Sequence, residues 1–141
     1  MGIQADQKDF KQAFQKHLHT YSNWDNTGSD ISKRLVLIYC VECGLKYKLM
    51  QEKRIYRVQD AQQDLQDDLN SHDFQKLIKR LNYLGSYSFP QIETVHGDKV
   101  IPVTYHQLCR YAISPIKAHE NYIQKYDEQL ADIASWLKEK V

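Results

Sequence analysis

Cysteine, proline and glycine are all scarce in this chain. Three cysteines, an odd and small number, argue against a secreted disulfide framework and point to a reducing compartment. Three prolines and five glycines leave few breaks, while Gln, Lys, Leu and Asp are plentiful, which favours long helices. Long apolar runs are missing too: nothing approaches the roughly 18 apolar residues that a membrane span requires. Neither sign of charge dominates. A formal net charge of +1 exerts no general pull on nucleic acid or membranes, so any anion-binding surface must be local. The opening "MGIQADQKDFKQ" lacks the apolar core of a signal peptide. These absences lead to the expectation of a soluble cytoplasmic protein without a cofactor. With 141 residues, 42% of them apolar, the chain suits a single domain (1–141) whose core needs no disulfide staples.

What is present is mostly helical periodicity. Phe10, Phe14, Leu18 and Tyr21 form one stripe of an amphipathic helix over residues 4–22. "NTGSD" (26–30) breaks the pattern, with Ser29 or Asp30 as cap for a second helix, Ile31 to Lys53. Leu35, Val36, Leu37, Ile38, Val41, Leu45, Leu49 and Met50 cover most of that helix, which places it centrally. Gly44 in its middle costs about 1 kcal/mol against alanine, a cost that a close helix crossing would justify. Residues 60–73 carry five aspartates and no Lys or Arg, which reads as a solvated, partly helical connector. Ser71 is the expected cap of a third helix, with Phe74, Leu77, Ile78, Leu81 and Leu84 on its apolar face and Gly85 at its end. "IETVHGDKVIPV" reads as a β-hairpin near 92–103, tipped by "HGDK", with Pro102 confining the second arm to an edge. A short helix at 104–112 follows. Ser114 as cap and Pro115 at the first helical position are expected to open a closing helix bearing Tyr122, Tyr126, Leu130, Ile133, Leu137 and Val141.

The sulfur atoms admit both a chemical and a packing reading. Cys40-x-x-Cys43 has the spacing of zinc knuckles and thiol redox sites, but it lies ten residues inside an apolar helix. A redox pair should open a helix, where the dipole lowers the thiol pKa. Zinc needs two further ligands, and His106 with Cys109 is the available pair. Three-residue spacing on a helix merely aligns two side chains, and free cysteine is among the most buried residue types. Core packing is the preferred reading. The set Cys40, Cys43, His106 and Cys109 remains the metal alternative.

The wider window "RLVLIYCVECGLKYKLM" resembles the signature helix of HEPN domains, helical bundles of prokaryotic defence and toxin–antitoxin systems. Val41, Glu42, Cys43, Gly44, Leu45, Lys46 and Leu49 carry the match. "NSHDFQKLIKRL" is similar to the family's next segment through His72, Asp73, Phe74, Leu77 and Ile78, and "CRYAISP" to its following turn through Arg110 and Tyr111. The resemblance implies an all-α, up-and-down bundle of four to five helices. It also implies larger protein partners of the same bacterial system and a homodimer through the long apolar helices.

The chain departs from the family at the catalytic motif. HEPN ribonucleases carry an Arg, then four to six residues, then a His, and none of the five arginines here meets that spacing. Arg110 and His119, with eight residues between them, are the nearest approximation. RNA cleavage needs a proton-transfer group and a cation for the phosphorane. The reading is therefore a non-catalytic interaction subunit of an antiphage-defence or toxin–antitoxin assembly. Its alternatives are a divergent ribonuclease or toxin using Arg110 and His119, and a module binding RNA, DNA or nucleotide. Lys46, Lys48, Lys53, Arg54, Arg57, Arg110 and Tyr111 are the candidate binding residues for the latter. Glu42 and Lys46, four apart, read as a helical ion pair in preference to a ligand-holding polar pair. His72 and Asp73 read as residues of a first helical turn in preference to a base and its orienter.

Overall fold

A computed structural model describes residues 3–25, 27–82 and 85–141. Among these residues the fold is an all-α bundle with a small β-hairpin. α1 spans Gln7–Ser22. The Asp9 carboxylate accepts the Asp6 backbone N–H (3.0 Å), while the Asp6 carboxylate accepts the N–H of Val58 (3.2 Å). Phe10 and Phe14 are buried, with Leu18 and Tyr21 packed against the same core. α2 spans Asp30–Glu52, and Ser29 Oγ accepts from the N–H groups of Ile31 and Ser32, as the sequence suggests. Asn26, in the break before it, lies outside the described residues.

α2 packs against α1 and the closing helix α6 (Glu120–Lys140), as well as against the short helices α4 (Phe74–Arg80) and α5 (Tyr105–Arg110). Its apolar residues from Leu37 to Met50 are therefore buried, except Tyr39 and Cys43, which are half-buried. Gly44 shows the close crossing its cost implies. A Cβ there would stand 2.7 Å from both Leu137 Cδ1 on α6 and Phe14 Cδ1 on α1.

The acidic connector holds a 3-10 turn (Val58–Asp60) and α3 (Gln63–Leu69). It is less solvated than its composition suggests, because Leu65 and Leu69 enter the core and Arg80 pairs with both Asp64 and Asp68. Asp73, not Ser71, caps α4 by accepting the Lys76 N–H. Ser71 Oγ instead accepts the Asp73 N–H, so His72 precedes the helix and is not in its first turn. Phe74, Leu77, Ile78 and Leu81 are buried; Leu84 lies outside the described residues. α4 stops at Arg80, so Gly85, although at φ +87°, lies too far on to cap it.

β1 (Ile92–Glu93) and β2 (Lys99–Val100) pair antiparallel, Ile92 opposite Val100 and Glu93 opposite Lys99, the latter two ion-paired. Thr94 Oγ1 accepts the N–H groups of His96 and Asp98, and Gly97 takes φ +87°, the left-handed conformation that the tip requires. Pro102 lies beyond β2 and opens a 3-10 turn, so it does not sit in the second arm.

The start of the closing helix is a further correction. Residues 114–116 do not enter α6; they pair with residues 93–95 at the end of β1, Val95 donating to the Ser114 carbonyl (3.0 Å) and Ile116 to that of Glu93 (2.8 Å). α6 runs Glu120–Lys140, preceded by a 3-10 turn at Lys117–His119. The hairpin's claim on these backbone groups outweighs the local signal of Ser114 and Pro115.

α6 also anchors the connection from α4. Gln129 exchanges two hydrogen bonds with the Ser88 backbone, and Tyr126 donates to the Pro90 carbonyl. Phe74, Phe89 and Tyr126 meet edge to face, with Tyr105 against Tyr126. No helix among the described residues is long and apolar enough to cross a membrane.

Candidate functional site

Where α2 is enclosed by its neighbours, a polar residue has nowhere to go except inside the protein. Glu42 and Lys46 on α2 are 4% and 8% exposed. The pair does not close into a salt bridge. Lys46 Nζ sits over the Phe10 ring, 5.6 Å from its centroid, and Glu42 Oε2 turns to His72 Nδ1 at 3.1 Å. Burial pushes the Lys46 pKa down, and the Glu42 charge opposes that shift.

Glu42, His72 and His106 form one cluster. The His72 and His106 rings approach to 4.1 Å between centroids, tilted by 33°. His106 is 4% exposed, whereas the His72 side chain is 46% exposed and opens the cluster to solvent. Two buried atoms, Glu42 Oε1 and His106 Nδ1, have no hydrogen-bond partner. Burial lowers the His106 pKa to about 4, helped by His72 and Arg110; the Val103 carbonyl pulls the other way without closing a hydrogen bond to Nδ1. His106 is thus neutral at pH 7.

Beside this cluster, Arg110 at the end of α5 donates to Tyr39 OH on α2 (2.9 Å), and Tyr111 is 63% exposed. On another face of α2, Arg34 Nε donates to Asp127 Oδ2 (2.6 Å), and the fully buried Tyr105 donates to Asp127 Oδ1 (2.8 Å). Burial raises the Asp127 pKa, with Arg34 and Tyr105 pulling it back. This triad joins α2, α5 and α6 and reads as structural.

The other sequence candidates disperse. Cys40 and Cys109 are buried, Cys43 is half-buried, and all three are free. Burial pushes their thiols up to about 12, 12 and 11 respectively, so they stay protonated. His106 and Cys109 face different surroundings: His106 meets Glu42 and His72, while Arg34 and Asp127 act on Cys109. Among the described residues no metal-capable group includes a cysteine. Of the candidate nucleic-acid residues, Lys46 is buried and Lys48 donates to Gln51. Lys53, Arg54 and Arg57 are exposed beyond the C-terminal end of α2, and Lys53 shares a cleft with Asp60 and Asp64. Arg110 and Tyr111 sit near Tyr39, thirteen residues before Glu52, or roughly 20 Å along the helix axis. His119 accepts the Glu93 N–H at Nδ1 (2.9 Å) and stacks on Tyr122, so it and Arg110 answer to different partners.

The fold and these contacts define a small helical bundle with a hairpin insertion and a buried acid–histidine cluster on its central helix. No family model matches the chain, and no curated protein or solved structure matches it.

Proposed function

We propose that the chain is a HEPN-like, non-catalytic interaction module, a cytoplasmic accessory subunit of a bacterial antiphage-defence or toxin–antitoxin assembly. One observation carries the reading. The three segments that resemble the family, far apart in sequence, meet on α2: His72 bonds Glu42, and Arg110 bonds Tyr39. The two residues nearest to a ribonuclease pair, Arg110 and His119, are tied to different elements, which supports a non-catalytic role. The hairpin supplies the docking element. β1 lies between β2 and residues 114–116, and Val95 and Ile101 remain 59% and 44% exposed around it. Three free cysteines support a reducing compartment.

The test is recovery of the tagged chain from its native host, with protein and nucleic acid both analysed. The expected result is a stoichiometric larger protein whose recovery falls at least about tenfold with Val95→Asp, the fold being retained. Cleavage of RNA by the purified chain, abolished by Arg110→Ala or His119→Ala, would replace this reading with the ribonuclease. Co-purifying RNA or DNA whose affinity falls steeply with salt would replace it with a nucleic-acid module.

A further inference from the structure

The geometry points to a divalent transition-metal site, with zinc the best-suited ion, built from Glu42, His72 and His106. One ligand atom from each residue lies within 4.8 Å of the other two. Tetrahedral zinc, bonded at about 2.0–2.2 Å, needs its ligands roughly 3.3–3.5 Å apart. Rotation of the His72 side chain, which is half-exposed and precedes α4, would bring the ligand atoms closer together.

The unmet needs of the cluster select a cation. Glu42 buries a carboxylate of which one oxygen has no partner, and the neighbouring ammonium of Lys46 sits over Phe10 instead. His106 buries an imidazole whose Nδ1 has no partner. A neutral imidazole offers a lone pair, and two imidazoles with one carboxylate form a donor set that zinc accepts readily. The exposed side of His72 gives the ion a route in and leaves a fourth position for water. A bridging water is the competing occupant, since it too could serve Glu42 Oε1 and His106 Nδ1.

The ligands come from α2, from the turn between α3 and α4, and from α5. A bound ion would therefore cross-link the part of the bundle where the short helices meet the central one. This inference goes beyond the docking role and does not depend on it.

The experiment uses the full chain, stripped with chelator and then titrated with ZnCl2 by calorimetry and with Co2+ by visible absorption. The expected result is one ion per chain, the intense d–d bands of four-coordinate Co2+, and an unfolding midpoint about 5–10 °C higher at a hundredfold excess over Kd. His72→Gln, at an exposed position that the fold can spare, should weaken binding at least about tenfold. Glu42→Gln should do the same, while Cys43→Ser and His96→Gln leave binding unchanged. Absence of stoichiometric uptake overturns the site and leaves water as its occupant. Uptake that survives His72→Gln but is lost with Cys43→Ser overturns it in favour of the cysteine set.

Discussion

Replacing Gly44 by alanine sets two known effects against each other. In an exposed helix the change would gain about 1 kcal/mol, because alanine loses less backbone freedom on folding. Here the new methyl would stand 2.7 Å from Phe14 Cδ1 and from Leu137 Cδ1, and 3.0 Å from Phe14 Cε1. Ordinary contact begins at 3.4 Å, so each neighbour must retreat by at least 0.7 Å (3.4 − 2.7). Neither has room: Phe14 and Leu137 are 2% and 0% exposed, and they belong to different helices. Overpacking of this kind costs about 1–3 kcal/mol, and two confined neighbours place it near the upper end. The net expectation is destabilisation by about 2 kcal/mol, a fall of roughly 6–8 °C in midpoint. Urea unfolding at fixed pH measures it, with the slope unchanged. In a Leu137→Val background the penalty should shrink, since one of the two neighbours is then shorter. Gly44→Ala at or above the stability of the parent chain would refute the claim that α1 and α6 both pass close at this residue.

Two further outcomes follow from backbone and charge. The folded His106 titrates near 4, against about 6.5 when unfolded, so between those values the unfolded chain holds the extra proton. Stability should then be complete above pH 6.5 and decline by roughly 1–3 kcal/mol as the pH falls toward 4. Glu42, His72 and Arg110 are the titratable and charged groups beside the ring, and urea unfolding in chelator across that range is the measurement. His106→Gln should flatten the profile, and an unaltered slope would refute the assignment. At the end of α5, Ala112 holds φ +53°, and its exposed side chain makes no demand of its own. Ala112→Gly should therefore stabilise the chain by about 0.5–1 kcal/mol, read as a higher thermal midpoint, and a lower one would refute the strain.

Local chemistry makes the long elements readable from the sequence. The stripe of Phe10 and Phe14, the Ser29 cap and the nearly all-round apolar cover of α2 each have a cause within a few residues of their effect. Gly44 is legible for the same reason, because its helical cost demands a neighbour. The hairpin is legible from β-favouring arms around "HGDK". Sequence and structure part where distant backbone competes with a local signal. Ser114 and Pro115 carry a good helix start, yet their segment pairs with β1 twenty residues earlier. Ser71 resembles a cap because its hydroxyl does accept a backbone N–H, that of Asp73, which then caps the helix itself.

The site is visible in the sequence only as separate residues. Glu42, His72 and His106 each draw notice, but 30 and 34 positions separate them, and no periodicity links such distances. Their meeting depends on how two helices of seven and six residues settle against α2, and packing decides that. The Glu42–Lys46 pair shows the physical reason. On a solvated helix face an i,i+4 pair forms because no better partner competes. Glu42 and Lys46 lie where α2 is enclosed, so Lys46 takes an aromatic ring and Glu42 takes an imidazole from another segment. A buried carboxylate with only one satisfied oxygen is destabilising unless something further binds it. Retaining one on the central helix makes little sense for packing alone, and it is this cost that a bound cation would offset.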